Sequence, residues 1–157
     1  MVVHGSGTLV NLEVVGPSLK LRHLEIWYCL NVESLKICDT NLKTLGTSSG
    51  EKLLLKNVPM QVEVDILGWP YTHIFDGISS RLSCVLTQLE VLTIHAYDSM
   101  LFLQENLEHY NFPELTNLKK FVLTIFGRKD LSLLGYTCII RAAPQLEEFE
   151  LQVGIKF

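Results

Sequence analysis

At 157 residues, 48% of them hydrophobic, the chain can bury one sizeable core, and its length fits a single domain over 1–157. Thirteen basic against seventeen acidic residues leave a net charge of −4, which gives no electrostatic reason to seek nucleic acid or an anionic membrane surface. The chain lacks the ~18 consecutive apolar residues that would span a bilayer, and Met1–Gly7 has neither the basic region nor the long apolar run of a secretory leader, so a cytoplasmic or nuclear protein is expected.

In chain order, the first strand-like run is Leu9–Val15, and a repeat core follows in Leu21-Arg-His-Leu24-Glu-Ile26-Trp-Tyr-Cys29. The key leucines here are Leu12, Leu24 and Leu35, in steps of only 12 and 11 along the chain. That spacing predicts short strand–turn–strand repeats over about 1–58. Gly46-Thr-Ser-Ser-Gly50 reads as a turn or loop. Longer repeats are expected over about 59–157. Pro59-Met-Gln61-Val-Glu-Val64-Asp-Ile66 fits the pattern Pro-x-Leu-x-x-Leu-x-Leu except that Gln61 replaces the first leucine. Gly68-Trp69-Pro70-Tyr71 breaks the chain, and Ile74, Phe75 and Ile78 suggest a short helix after it. Leu86-Thr-Gln-Leu89-Glu-Val-Leu92-Thr-Ile94 lacks only the proline; Pro113–Leu123 fits with a three-residue insertion, and Pro144-Gln-Leu146-Glu-Glu-Phe149-Glu-Leu151 fits closely.

From Val64 the pattern advances to Leu92, Phe121 and Phe149 in steps of 28, 29 and 28, inside the range of leucine-rich repeats. Asp98 is placed to cap a helix over about Ser99–Glu108, and Asp130 one over about Leu131–Ala143 that Pro144 terminates. The fold class expected is therefore α/β: a leucine-rich-repeat solenoid with one parallel sheet on its concave face, irregular short repeats first and helix-containing repeats after. Both ends read as cuts through a longer array without polar caps, which predicts aggregation or pairing through exposed strand edges.

Strand alternation puts Leu or Ile inward and leaves a ladder outward. That ladder comprises Asn11 and Glu13; His23, Glu25 and Trp27; Ser34 and Lys36; Glu63 and Asp65; Val91, Thr93 and His95; Lys120, Val122 and Thr124; and Glu148, Glu150 and Gln152. A one-residue slip would invert every assignment. From it the candidate protein-binding residues are His23, Glu25, Trp27, Lys36, Glu63, Asp65, Thr93, His95, Lys120, Thr124, Glu148 and Glu150. Trp27 and Tyr28 are either binding anchors on this ladder or packing residues beneath the next turn.

The runs Leu21–Cys29, Val32-Glu-Ser-Leu-Lys-Ile-Cys-Asp-Thr-Asn-Leu-Lys-Thr-Leu45 and Ala142-Ala-Pro-Gln-Leu-Glu-Glu-Phe-Glu-Leu151 resemble plant F-box/leucine-rich-repeat proteins, close to those whose repeats lead into an FBD-type C-terminal region. The resemblance implies a repeat domain that holds a protein substrate for a cullin-based ubiquitin ligase, whose adaptor docks on an F-box. Residues 1–20 already read as repeat, so no position carries adaptor binding, and that adaptor is expected as a partner only if an F-box is supplied elsewhere. A repeat scaffold without a ubiquitin role, or a truncated gene product, is the alternative.

Catalytic signals are missing. Gly5-Ser6-Gly7 is no nucleophile elbow, and neither a phosphate-binding loop nor a dinucleotide fingerprint occurs. The histidines at 4, 23, 73, 95 and 109 lack ligand spacing, and Cys29, Cys38, Cys84 and Cys138 match no zinc pattern. The cysteines read as small buried hydrophobes in a reducing compartment, with a Cys29–Cys38 disulfide as the alternative. The carboxylate pairs Glu63/Asp65 and Glu148/Glu150 follow from strand alternation and imply at most a preference for basic partner segments. Expected, then, is a binding protein and not an enzyme, with no metal or cofactor.

Overall fold

The computed structural model describes residues 1–18, 20–29, 31–48, 52–68, 78–80, 82–97, 111–127 and 136–154. The elements among them, in chain order, are β1 (Val2–His4), β2 (Asn11–Val15), β3 (His23–Trp27), β4 (Ser34–Cys38), β5 (Thr44–Ser48), β6 (Lys52–Lys56), β7 (Glu63–Leu67), β8 (Val91–Tyr97), β9 (Lys120–Phe126), α1 (Thr137–Ala142) and β10 (Glu148–Gly154). The arrangement is mixed α/β, and these strands pair in parallel.

The strands form two sheets where the sequence pattern predicts one. A seven-stranded sheet runs β1-β3-β5-β7-β8-β9-β10, and a three-stranded sheet runs β2-β4-β6. The short leucine steps explain the difference. Leu12 and Leu35 pair with each other on β2 and β4, whereas Leu24 between them pairs with Leu45 on β5. Each short step thus carries the chain across to the other sheet, and the next one carries it back. Neighbours that truly pair are about twice as far apart in sequence as the short steps suggest. Among the described residues the chain no longer alternates beyond β7. Val64, Leu92, Phe121 and Phe149 pair in succession, as their even spacing predicts.

Period-two patterning decides which side chains enter the core. Leu24 and Ile26, Val64 and Ile66, Leu92 and Ile94, and Phe121 and Leu123 are buried, and they join Leu35 and Ile37 of the smaller sheet in one cluster. In the C-terminal half, Ile78, Leu82, Leu86, Leu115 and the α1 residues Cys138 and Ile139 contribute to that cluster. α1 lies inside the predicted helix, stops before Pro144, and accepts from Leu115 N at Ala142 O, 2.8 Å away. Residues 78–80 are helical, as expected. The predicted helix Ser99–Glu108, the caps Asp98 and Asp130, and Gly68-Trp69-Pro70-Tyr71 after its glycine fall outside the described residues.

Two local devices tie successive turns together. Side-chain amides preceding the strands donate to main-chain carbonyls of the turn before: Asn41 Nδ2 to Pro17 O at 3.2 Å, Gln88 Nε2 to Val58 O at 2.7 Å, and Asn117 Nδ2 to Thr87 O at 2.6 Å. Gln61, in place of the repeat leucine, is fully buried and donates to Lys43 O and Glu63 O at 3.2 and 2.6 Å, so a polar side chain occupies a core position because it satisfies carbonyls there. Chain reversals after several strands use positive φ: Gly5 and Gly16, but also Tyr28 (55°), Asp39 (53°) and Asn57 (51°). Asp and Asn tolerate this region; a tyrosine there is strained by about 1–2 kcal/mol.

All four cysteines are free, which removes the disulfide alternative; Cys29, Cys38 and Cys138 are buried as expected, and Cys84 is exposed against that expectation. No helix among the described residues is long and apolar enough to cross a membrane.

On β10 the core-facing positions are open: Phe149, Leu151 and Val153 are 42%, 40% and 57% exposed. Their partners Phe121, Leu123 and Ile125 on β9 are buried. An apolar strand edge of this kind templates association. The isolated chain is expected to self-associate as concentration rises, and Leu151→Lys with Val153→Lys to make it monomeric in sedimentation velocity; a wild-type chain monomeric at all concentrations would contradict this.

Candidate functional site

Parallel in-register pairing arranges the outward side chains of the seven-stranded sheet in rows that cross the strands. The row nearest the strand starts is polar. Thr44 Oγ1 donates to Glu63 Oε2 at 3.0 Å, so its neighbour His23 must donate to it through Nδ1, also at 3.0 Å. At the other end Lys120 lies 2.9 Å from Glu148 and 3.3 Å from Glu150. Hydrogen bonds to these carboxylates raise the Lys120 pKa, and Gln152, followed by Lys120, lowers that of Glu150. These groups are solvent-exposed, and their pairing adds little stability.

The next row sets Glu25, Gly46, Asp65, Thr93, Val122 and Glu150 side by side. Gly46 is no loop residue; it sits in the middle of β5. A Cβ there would lie 2.6 Å from Cζ2 of Trp27 and 3.1 Å from Cγ of Glu25. The absence of a side chain lets the indole of Trp27 lie across the neighbouring strand, where its Nε1 donates to Glu25 Oε2 at 3.1 Å. Gly154 does the same for Phe126: its Cβ would come within 2.9 Å of that ring.

Toward the strand ends the face becomes aromatic. His4, Trp27, Tyr28, Leu67, His95 and Phe126 line an open depression of about 260 Å³. His4 and Tyr28 have ring centroids 5.0 Å apart, His95 stacks on Phe126 at 6.3 Å, and Tyr97 tilts against Phe126 at 5.5 Å. Burial, and then the neighbouring Tyr28, push the Tyr97 phenol up. His95 Nε2 is 3.0 Å from Asp65 Oδ1, in a geometry that makes no hydrogen bond.

Most sequence-derived candidates fall on this face with the register expected. Glu25, Trp27, Asp65 and His95 are at or beside the depression. His23, Glu63, Lys120 and Glu148 form the polar row, and Thr93, Thr124 and Glu150 lie between. Lys36 does not belong with them: β4 is in the smaller sheet, where Lys36 pairs with Glu13, and Asn11 and Ser34 accompany it there. The outward ladder also runs further than the predicted one. Two residues past His95 is Tyr97, and two past Thr124 is Phe126, so the same alternation places both outward. Leu67, two past Asp65, follows by the same alternation; His4 needed the strand pairing, and the left-handed backbone of Tyr28 decides between anchor and packing residue by placing its ring on the rim.

Among the described residues no group of three or more His, Cys, Asp or Glu is placed to hold a metal ion. Comparison with protein-family models, curated proteins and solved structures gives no match.

Gly46→Ala is expected to push the indole off β5 and break its bond to Glu25, at a cost of about 1–3 kcal/mol from overpacking. In a Trp69→Phe background the Trp27 emission should shift to the red and the denaturant midpoint should fall; an unchanged spectrum with unchanged stability would contradict the packing described.

Proposed function

We propose that the chain is a protein-recognition module that binds a partner segment on the outward face of its seven-stranded sheet, and that it is not an enzyme. The observation that carries this reading is the aromatic depression at the strand ends. Rings held by strand pairing and by two glycines present preorganised area, and aromatic side chains in such settings dominate binding at protein interfaces.

Under the same proposal the fold is a leucine-rich-repeat solenoid, with this sheet on the inner face. Its support is the parallel pairing of evenly spaced strands, the buried Leu-x-x-Leu-x-Ile positions, and the amides that link each turn to the one before. A role as the substrate-recognition part of a ubiquitin ligase is a further part of the reading and rests on the sequence resemblance alone; the ligase adaptor would then need an F-box supplied elsewhere.

A photo-crosslinking residue placed at Tyr28 on the rim, compared with one at exposed Leu54 of β6, tests the binding face. Partners in a cell extract should crosslink from position 28 and not from position 54, and the ligase adaptor should not be recovered by the chain alone. Crosslinks only from position 54 would move the binding surface to the smaller sheet, and direct recovery of the adaptor would overturn the assignment of its docking to an F-box elsewhere.

A further inference from the structure

We propose that the aromatic depression receives a cationic side chain, lysine or arginine, of the bound protein segment. This deepens the protein-recognition reading and rests on it. Three observations converge. The first is size: about 260 Å³ is below the range of clefts that enclose cofactors and drug-sized ligands and suits a single inserted side chain. The second is the nature of the walls. Trp27, Tyr28 and Phe126 offer π-systems, whose negative faces attract cations, best of all an indole.

The third is charge. The outward positions of β3, β5 and β7 carry three carboxylates, Glu25, Glu63 and Asp65, and neither lysine nor arginine. Two of these carboxylates are attached to the walls themselves. Glu25 is held by the Trp27 indole at 3.1 Å, and Asp65 sits 3.0 Å from His95. Carboxylates beside aromatic walls supply the charge opposite to an ammonium or guanidinium. An apolar or acidic side chain in the same place would desolvate the carboxylates for no return.

The test uses the full chain, immobilised and challenged with a random peptide library, followed by affinity measurements on synthetic copies of the peptides recovered. The recovered peptides should share a lysine or arginine. Replacing it by norleucine or citrulline should weaken binding about tenfold, a change on the ligand side that leaves the protein's folding untouched. Asp65→Asn should weaken the native peptide and leave the norleucine or citrulline version unchanged, and the Trp27 indole proton should shift on addition of the native peptide. Peptides that lack a basic residue but still shift the Trp27 resonance would overturn the cation assignment and leave the recognition face standing. Failure to recover any peptide that perturbs this face would overturn both.

Discussion

A strand that points alternate side chains in opposite directions can satisfy neither its backbone nor its apolar face alone, and in this chain a parallel neighbour meets both needs at once. Pairing Leu24 with Leu45, Leu45 with Val64, Val64 with Leu92 and Leu92 with Phe121 builds one continuous core and closes the backbone hydrogen bonds of every strand between the edges. Everything on the opposite face inherits its position from that ladder. Because the register is fixed by what is buried, a slip of a single residue would put leucines into solvent and carboxylates into the core. The outward rows are therefore as well determined as the core itself.

Much of this ladder is legible in the amino-acid pattern. The even spacing of Val64, Leu92, Phe121 and Phe149 identifies strands that pair in succession, and alternation from these points assigns outward residues correctly from His23 to Gln152 along the larger sheet. What escapes the pattern are features that depend on neighbours across strands. The short steps between Leu12, Leu24 and Leu35 look the same whether the chain stays in one sheet or crosses to another, so the pattern joins Asn11, Glu13, Ser34 and Lys36 to a face they do not share. Gly46 between Leu45 and Thr47 looks like the start of a loop, and only the indole of Trp27 lying over it explains a glycine in mid-strand. Gln61 departs from the repeat in sequence yet fills the same buried place, because the carbonyls of Lys43 and Glu63 converge on it.

The functional reading has the same character. No single residue on the outward face carries a motif. What distinguishes the face is a gradient: hydrogen-bonded polar groups at the strand starts give way to His4, Trp27, Tyr28, His95 and Phe126 at the strand ends. Tyr28 is at the centre of this. Its left-handed backbone turns the chain out of β3 and places its ring beside His4, in a conformation that glycine would adopt at less cost. Strain of this kind at an exposed aromatic is a reason to look there for binding.

The central claim is that a partner is held on this face at the strand ends. Amide hydrogen exchange on the chain with and without a bound partner tests it most directly. Protection should rise over residues 25–28, 65–68, 93–97 and 122–126, with the strands of the smaller sheet unchanged. Protection concentrated in 11–15, 34–38 and 52–56 would show that the smaller sheet carries the binding, and would contradict the claim.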